Sequence, residues 1–95
     1  YWSNEAHWRW ATVPNAREKA SFLKENILPL QESGQLKMID PQAVPFSQFG
    51  IFYAAGHTDQ MMIPMIRYKG RTICYMADLL PSVGHIPLPY VMGYD

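Results

Sequence analysis

Two apolar, β-forming stretches, residues 61–68 and 71–77, are separated only by Lys69 and Gly70. A two-residue gap ending in Gly predicts an antiparallel hairpin, because Gly supplies at no steric cost the positive φ that a tight turn matched to strand twist requires. Pro64 has no N–H to give to a ladder, which pushes the first strand towards a sheet edge or a bulge. The second strand, RTICYMA, is almost continuously apolar, the pattern of a strand covered on both faces, and it delivers Asp78 at its end.

Upstream, residues 49–55 have strand length and β-formers and stop at Gly56, where His57 and Thr58 begin a polar corner. His57 and Asp78 are thus each predicted at the end of a strand, and adjacent strands would bring an imidazole and a carboxylate to one sheet edge. Both are standard zinc ligands. A carboxylate that follows a buried strand needs a cation, hydrogen-bond donors or water to offset its desolvation. Spacing leaves those three open, and Gly-His-Thr by itself is more often the mark of a strand-end turn with a satisfied histidine.

The opening YWSNEAHWRW sets aromatic rings among polar groups, as in a loop packed on a larger body or a stacking surface. Asn15 followed by Glu18 has the form of a capping box, and Ala16, Ala20, Leu23 and Ile27 recur at helical spacing. They predict one amphipathic helix, ended by Pro29. Ser33 and Gly34 turn the chain into a short strand at 36–39, closed by Asp40 and Pro41, and a loop runs to about Gln48. Beyond Leu79, Pro81, Gly84, Pro87 and Pro89 predict an irregular segment crossing the end of the sheet. No repeat and no second domain is marked, so residues 1–95 read as a single domain.

Eight Lys and Arg balance eight Asp and Glu, so no net field draws in nucleic acid or anionic lipid. No apolar run approaches the roughly 20 residues of a membrane span, and no signal peptide is evident. With 48% hydrophobic and 17% charged residues the composition is globular, but a chain of 95 residues supports only one modest core. Cys74 is the single cysteine, which excludes an internal disulfide and points to a reduced cytoplasm, with Cys74 itself a small core residue. Met61, Met62 and Met65 read as core filler. The chain begins at Tyr1 and stops at Asp95 straight after an apolar run, and it reads as a piece of something longer.

A strand ending in GHT, a hairpin, a strand ending in MAD and then LLPSVGHIPLPY occur here in one order. In that order they resemble the metallo-β-lactamase superfamily of metal-dependent hydrolases. The likeness lies in the GHT element, in KGRTICYMADLLPS and in HIPLPYVMGYD. YWSNEAHWRW and NAREKASFLKENILP also look like its linking region, so the resemblance spans essentially the whole chain, with residues 56–95 the specific part. It implies an α/β fold, a partial αββα sandwich to which this chain would supply about one β-sheet and one helix.

By motif, His57 matches the histidine that completes the first metal site and Asp78 the aspartate that bridges both metals. The resemblance implies zinc, two ions in the complete site, and hydrolysis by a bridging hydroxide on an ester, lactone or organophosphate-like small molecule. The family's HxHxDH cluster does not occur in this sequence, nor does its last histidine ligand, so two matched ligands stand where a closed zinc site takes four. The expectation is therefore a portion of a hydrolase, inactive as this chain. The alternative is a truncated, metal-free domain acting through contacts with a partner.

His85, seven residues after Asp78, matches a histidine that lies near the metals or faces substrate in the branch this tail resembles; otherwise it is a loop histidine bonded to backbone. His7, between Trp2, Trp8 and Trp10, would line a substrate channel or pack on the rest of the protein. An aromatic-rich binding module for nucleic acid or sugar lacks the basic charge it would need. The apolar faces of a partial sandwich favour association into a homo-oligomer.

Overall fold

A computed structural model describes residues 1–43 and 46–87; Val44, Pro45 and the end of the HIPLPY tail, 88–95, lie outside the described residues. In chain order the elements are β1 (Trp2–Ser3), α1 (Glu5–Thr12), α2 (Lys24–Glu32), β2 (Lys37–Met38), β3 (Phe49–Ala54), β4 (Met61–Tyr68) and β5 (Arg71–Cys74). Two short 3-10 turns follow, Ala77–Leu79 and Val83–His85. β1 and β2 pair in parallel, and β3, β4 and β5 form an antiparallel sheet in that order. The architecture is a mixture of helices and small sheets, as the α/β reading expects. Among the described residues no helix is long and apolar enough to cross a membrane.

The hairpin forms at the expected place. Tyr68 pairs with Arg71, and both Lys69 (φ 48°) and Gly70 (φ 73°) adopt left-handed backbone, the two-residue turn whose twist suits antiparallel strands.

Pro64 does not put β4 at an edge: β4 is the central strand, with Ile51 opposite Pro64 on the β3 side. In an antiparallel ladder a residue's N–H and C=O point to the same neighbour. The Pro64 carbonyl accepts from the Tyr75 N–H at 3.1 Å, so its nitrogen also faces the β5 side and returns nothing. Regular pairing there stops at Cys74, which shortens the predicted strand 71–77 to Arg71–Cys74. β5 is also not covered on both faces. Ile73 is 52% and Tyr75 68% exposed, and Cys74 is exposed rather than a core residue.

Two expectations in the N-terminal half are overturned. The aromatic opening is not a loop, since residues 5–12 are helical: Asn4 caps α1 by accepting the His7 N–H at 2.8 Å, with Glu5 in the positive first turn. Asn15 does act as a cap, its Oδ1 accepting from the N–H groups of Arg17 and Glu18, while the Glu18 carboxylate accepts from the Asn15 side-chain amide instead of the backbone N–H of a capping box. Residues 16–21 nevertheless make only turns, and α2 begins at Lys24. A cap satisfies the first amides, but propagation needs a buried stripe, and Ala16, Ala20 and Leu23 are exposed. Pro29 lies inside α2 instead of ending it, and the helix runs on to Glu32.

The core is small. Ala11, Ile39 and Ile63 are the buried apolar residues among those described, joined by the polar Ser3 and Asn4. Beside them the Tyr53 hydroxyl is buried with no hydrogen-bond partner among the described residues. Burial, and then the Asp40 carboxylate, raise the Tyr53 pKa above its ordinary 10.0. Replacing Tyr53 by Phe is expected to raise the free energy of unfolding by about 1 kcal/mol, because it removes an unpaired buried polar atom at constant shape. The raised pKa means that the tyrosine's contribution is complete below pH 10.0 and is lost as pH rises through the folded value. The variant should therefore lose less stability in alkali; urea midpoints at neutral and alkaline pH measure both, and equal alkaline losses would contradict it.

Candidate functional site

His57 sits on the corner that follows β3, and two bonds from α1 hold that corner in place. The Asn4 amide donates to the Gln60 carbonyl at 2.8 Å while its oxygen caps the helix, so one 2%-exposed side chain satisfies both ends. His7 Nδ1 lies 2.7 Å from the Asp59 carbonyl, which can only accept, so that nitrogen carries the proton. The corner 57–60 is thereby fixed by the N-terminal helix.

Asp78 arrives from the other side. After β5 the chain reverses at Ala77, a non-glycine residue at φ 45°, and the Leu79 N–H bonds back to the Met76 carbonyl at 3.1 Å. Leu79 then packs on Gly56 so closely that a Cβ built there would stand 2.6 Å from Leu79 Cδ1.

The strands that lead to His57 and Asp78 are not adjacent, as the sequence reading had them. β3 and β5 flank β4 and run in the same direction, about 9–10 Å apart at two strand spacings. Their C-terminal segments curl over the start of β4 and bring His57 Nε2 to 3.6 Å from Asp78 Oδ2. That separation is too long for a hydrogen bond. It is close to the roughly 3.3–3.5 Å between ligand atoms that tetrahedral zinc bonds of about 2.0–2.2 Å create, so this pair of atoms fits one ion. The Asp78 side chain is 76% exposed, so water already meets its desolvation cost, and that of His57 is 28% exposed.

Both side chains line a cleft of about 570 Å³, with Thr58, Phe22 and the turn bearing Asn15, Arg17 and Glu18. The sequence marked that turn only as a helix start. No local signal places Arg17 or Glu18 opposite His57; the fold-back of residues 16–21 does. Among the described residues no group of three or more His, Cys, Asp and Glu is placed to hold a metal.

His85 is not among the described residues lining this cleft; its Nδ1 lies 2.8 Å from the Ser82 hydroxyl, within its own 3-10 turn. His7 faces a different, largely apolar cavity of about 360 Å³, with Trp2, Phe46, Phe49 and Ile51. The tryptophans separate: Trp2 meets Phe46 edge-on at 6.0 Å, and Trp8 Nε1 donates to Gln31 on α2 at 3.3 Å.

Asn4→Ala is expected to cost about 2–3 kcal/mol, because it removes a helix cap and strands the Gln60 carbonyl. Asn4→Ser, which keeps a capping oxygen and loses the donor, should cost less, and urea unfolding of both variants measures the difference. No family model, no curated protein and no solved structure matches the chain.

Proposed function

We propose that this chain is a portion of a metal-dependent hydrolase of the metallo-β-lactamase type, in which His57 and Asp78 are metal ligands and zinc is the metal. The observation that carries the proposal is the 3.6 Å approach of His57 Nε2 to Asp78 Oδ2 at the wall of an open cleft. The order of the GHT, MAD and LLPSVGHIPLPY segments supports it. On this reading β3, β4 and β5 belong to one sheet of a partial αββα sandwich, and the cleft takes an ester, lactone or organophosphate-like small molecule. The resemblance would give His85 a place near the metals or facing substrate, and it is not proposed as a ligand. The cytoplasm is the proposed location, and the exposed apolar residues of β4 and β5 favour a homo-oligomer.

Zinc, when bound, polarises a carbonyl or phosphoryl group and supplies hydroxide at neutral pH. The chain's own residues have simpler tasks. His57 would offer its Nε2 to a single ion. Asp78 has two carboxylate oxygens and can serve two ions, and its exposure lets it do so without moving. Thr58, Asn15 and Arg17 line the same space as the polar walls against which a substrate would lie.

A second reading has its own support: an exposed His–Asp ion pair is an ordinary surface contact, and Ile66, Tyr68, Ile73 and Tyr75 give the sheet an apolar face suited to a partner. Zn²⁺ titration of the chain by calorimetry separates the two. Wild type should take up zinc, and Asp78→Asn or His57→Asn should each weaken it at least about tenfold, as loss of a ligand does. Equal zinc uptake by both variants and wild type would remove the metal reading and leave the metal-free domain.

A further inference from the structure

We propose that Leu79, seated in the notch left by the absent side chain of Gly56, is the positioning residue that holds Asp78 against His57. The role in metal binding rests on the reading of that pair as ligands; the positioning itself does not.

The sheet cannot bring the pair together. Its regular pairing on the β5 side ends at Cys74, and β4 lies between the strands that lead to His57 and Asp78. The contact between the two side chains is too weak to do so, since three-quarters of the Asp78 side chain faces water and exposed pairs hold geometry poorly. The Leu79 N–H bonds only within its own turn, to Met76.

What remains is packing. Leu79 Cδ1 lies 2.6 Å from the place a Cβ on residue 56 would take, so a side chain there would oblige the end of the Leu79 side chain to shift. The left-handed backbone at Ala77 reverses the chain immediately before, a conformation that a non-glycine residue keeps only when its surroundings enforce it. Two successive residues then meet two successive residues in reverse order, Leu79 on Gly56 and Asp78 on His57. A side chain that fills the notch sets the height of the next residue along, and so the gap between carboxylate and imidazole.

The test reads that gap directly, without metal. In the 95-residue chain, Asp78→Asn should shift the NMR signals of the His57 ring. In the Leu79→Ala background the same substitution should leave them unmoved, and Leu79→Met, which refills the notch, should restore the response. Gly56→Ala, which obliges the end of the Leu79 side chain to shift, should diminish it in a chain that keeps Leu79. Because the two changes act on one contact, Gly56→Ala with Leu79→Ala should be no worse than Leu79→Ala alone. Zinc affinity should fall about 10- to 100-fold in Leu79→Ala, the range for residues that orient a ligand.

An undiminished His57 response in folded Leu79→Ala overturns the proposal. If that variant does not fold, an undiminished response in Gly56→Ala does the same. Equal zinc binding by wild type and Asp78→Asn would defeat the metal reading, while the His57 response would still decide whether Leu79 positions Asp78.

Discussion

The buried amide of Asn4 ties the N-terminal helix to the corner that carries His57. Its oxygen caps α1 and its nitrogen donates to Gln60, 56 residues away in sequence, so helix start and strand-end corner are fixed by one side chain. A buried amide is stable only when its donor and acceptor are both used, and here the two uses belong to different parts of the fold. With the His7–Asp59 bond beside it, Asn4 makes the corner rigid where a short polar loop would otherwise be free to move.

Pro64 exerts a second constraint with longer consequences. Because its nitrogen faces the β5 side, Pro64 accepts from the Tyr75 N–H but gives no bond back, and regular β5 pairing ends at Cys74. That release gives residues 75–79 the freedom to turn at Ala77 and cross the start of β4. A fully paired strand to residue 77 would have carried Asp78 straight onward, two strand spacings from the His57 side. The same early exit leaves β5 a thin edge with Ile73 and Tyr75 in contact with water.

Local chemistry made much of the sheet legible. β4 spans the expected residues 61–68, the Lys69–Gly70 turn is where the glycine demanded it, and β3 ends one residue short of the expected Ala55. Periodicity, strand formers and turn residues act over a few positions, so they could be read without the fold. The helices were less legible for the same reason. Asn4 is a good cap hidden among aromatic rings, and Asn15 is an equally good cap with no buried stripe behind it, so sequence favoured the wrong one. What decided between them was burial: Ala11 on α1 found a core and Ala16 and Ala20 did not.

The sequence by itself determined that an imidazole and a carboxylate each follow a strand, because the apolar runs before His57 and Asp78 and the turn between them are local properties. It also determined that Gly56 bears no side chain. Only the tertiary structure decided that those strands are separated by a third, that Asp78 crosses it to within 3.6 Å of His57, and that Arg17 and Glu18 line the same cleft. The physical reason is that these placements depend on contacts between segments far apart in the chain, Asn4 on Gln60 and Leu79 on Gly56, whose existence no spacing rule encodes.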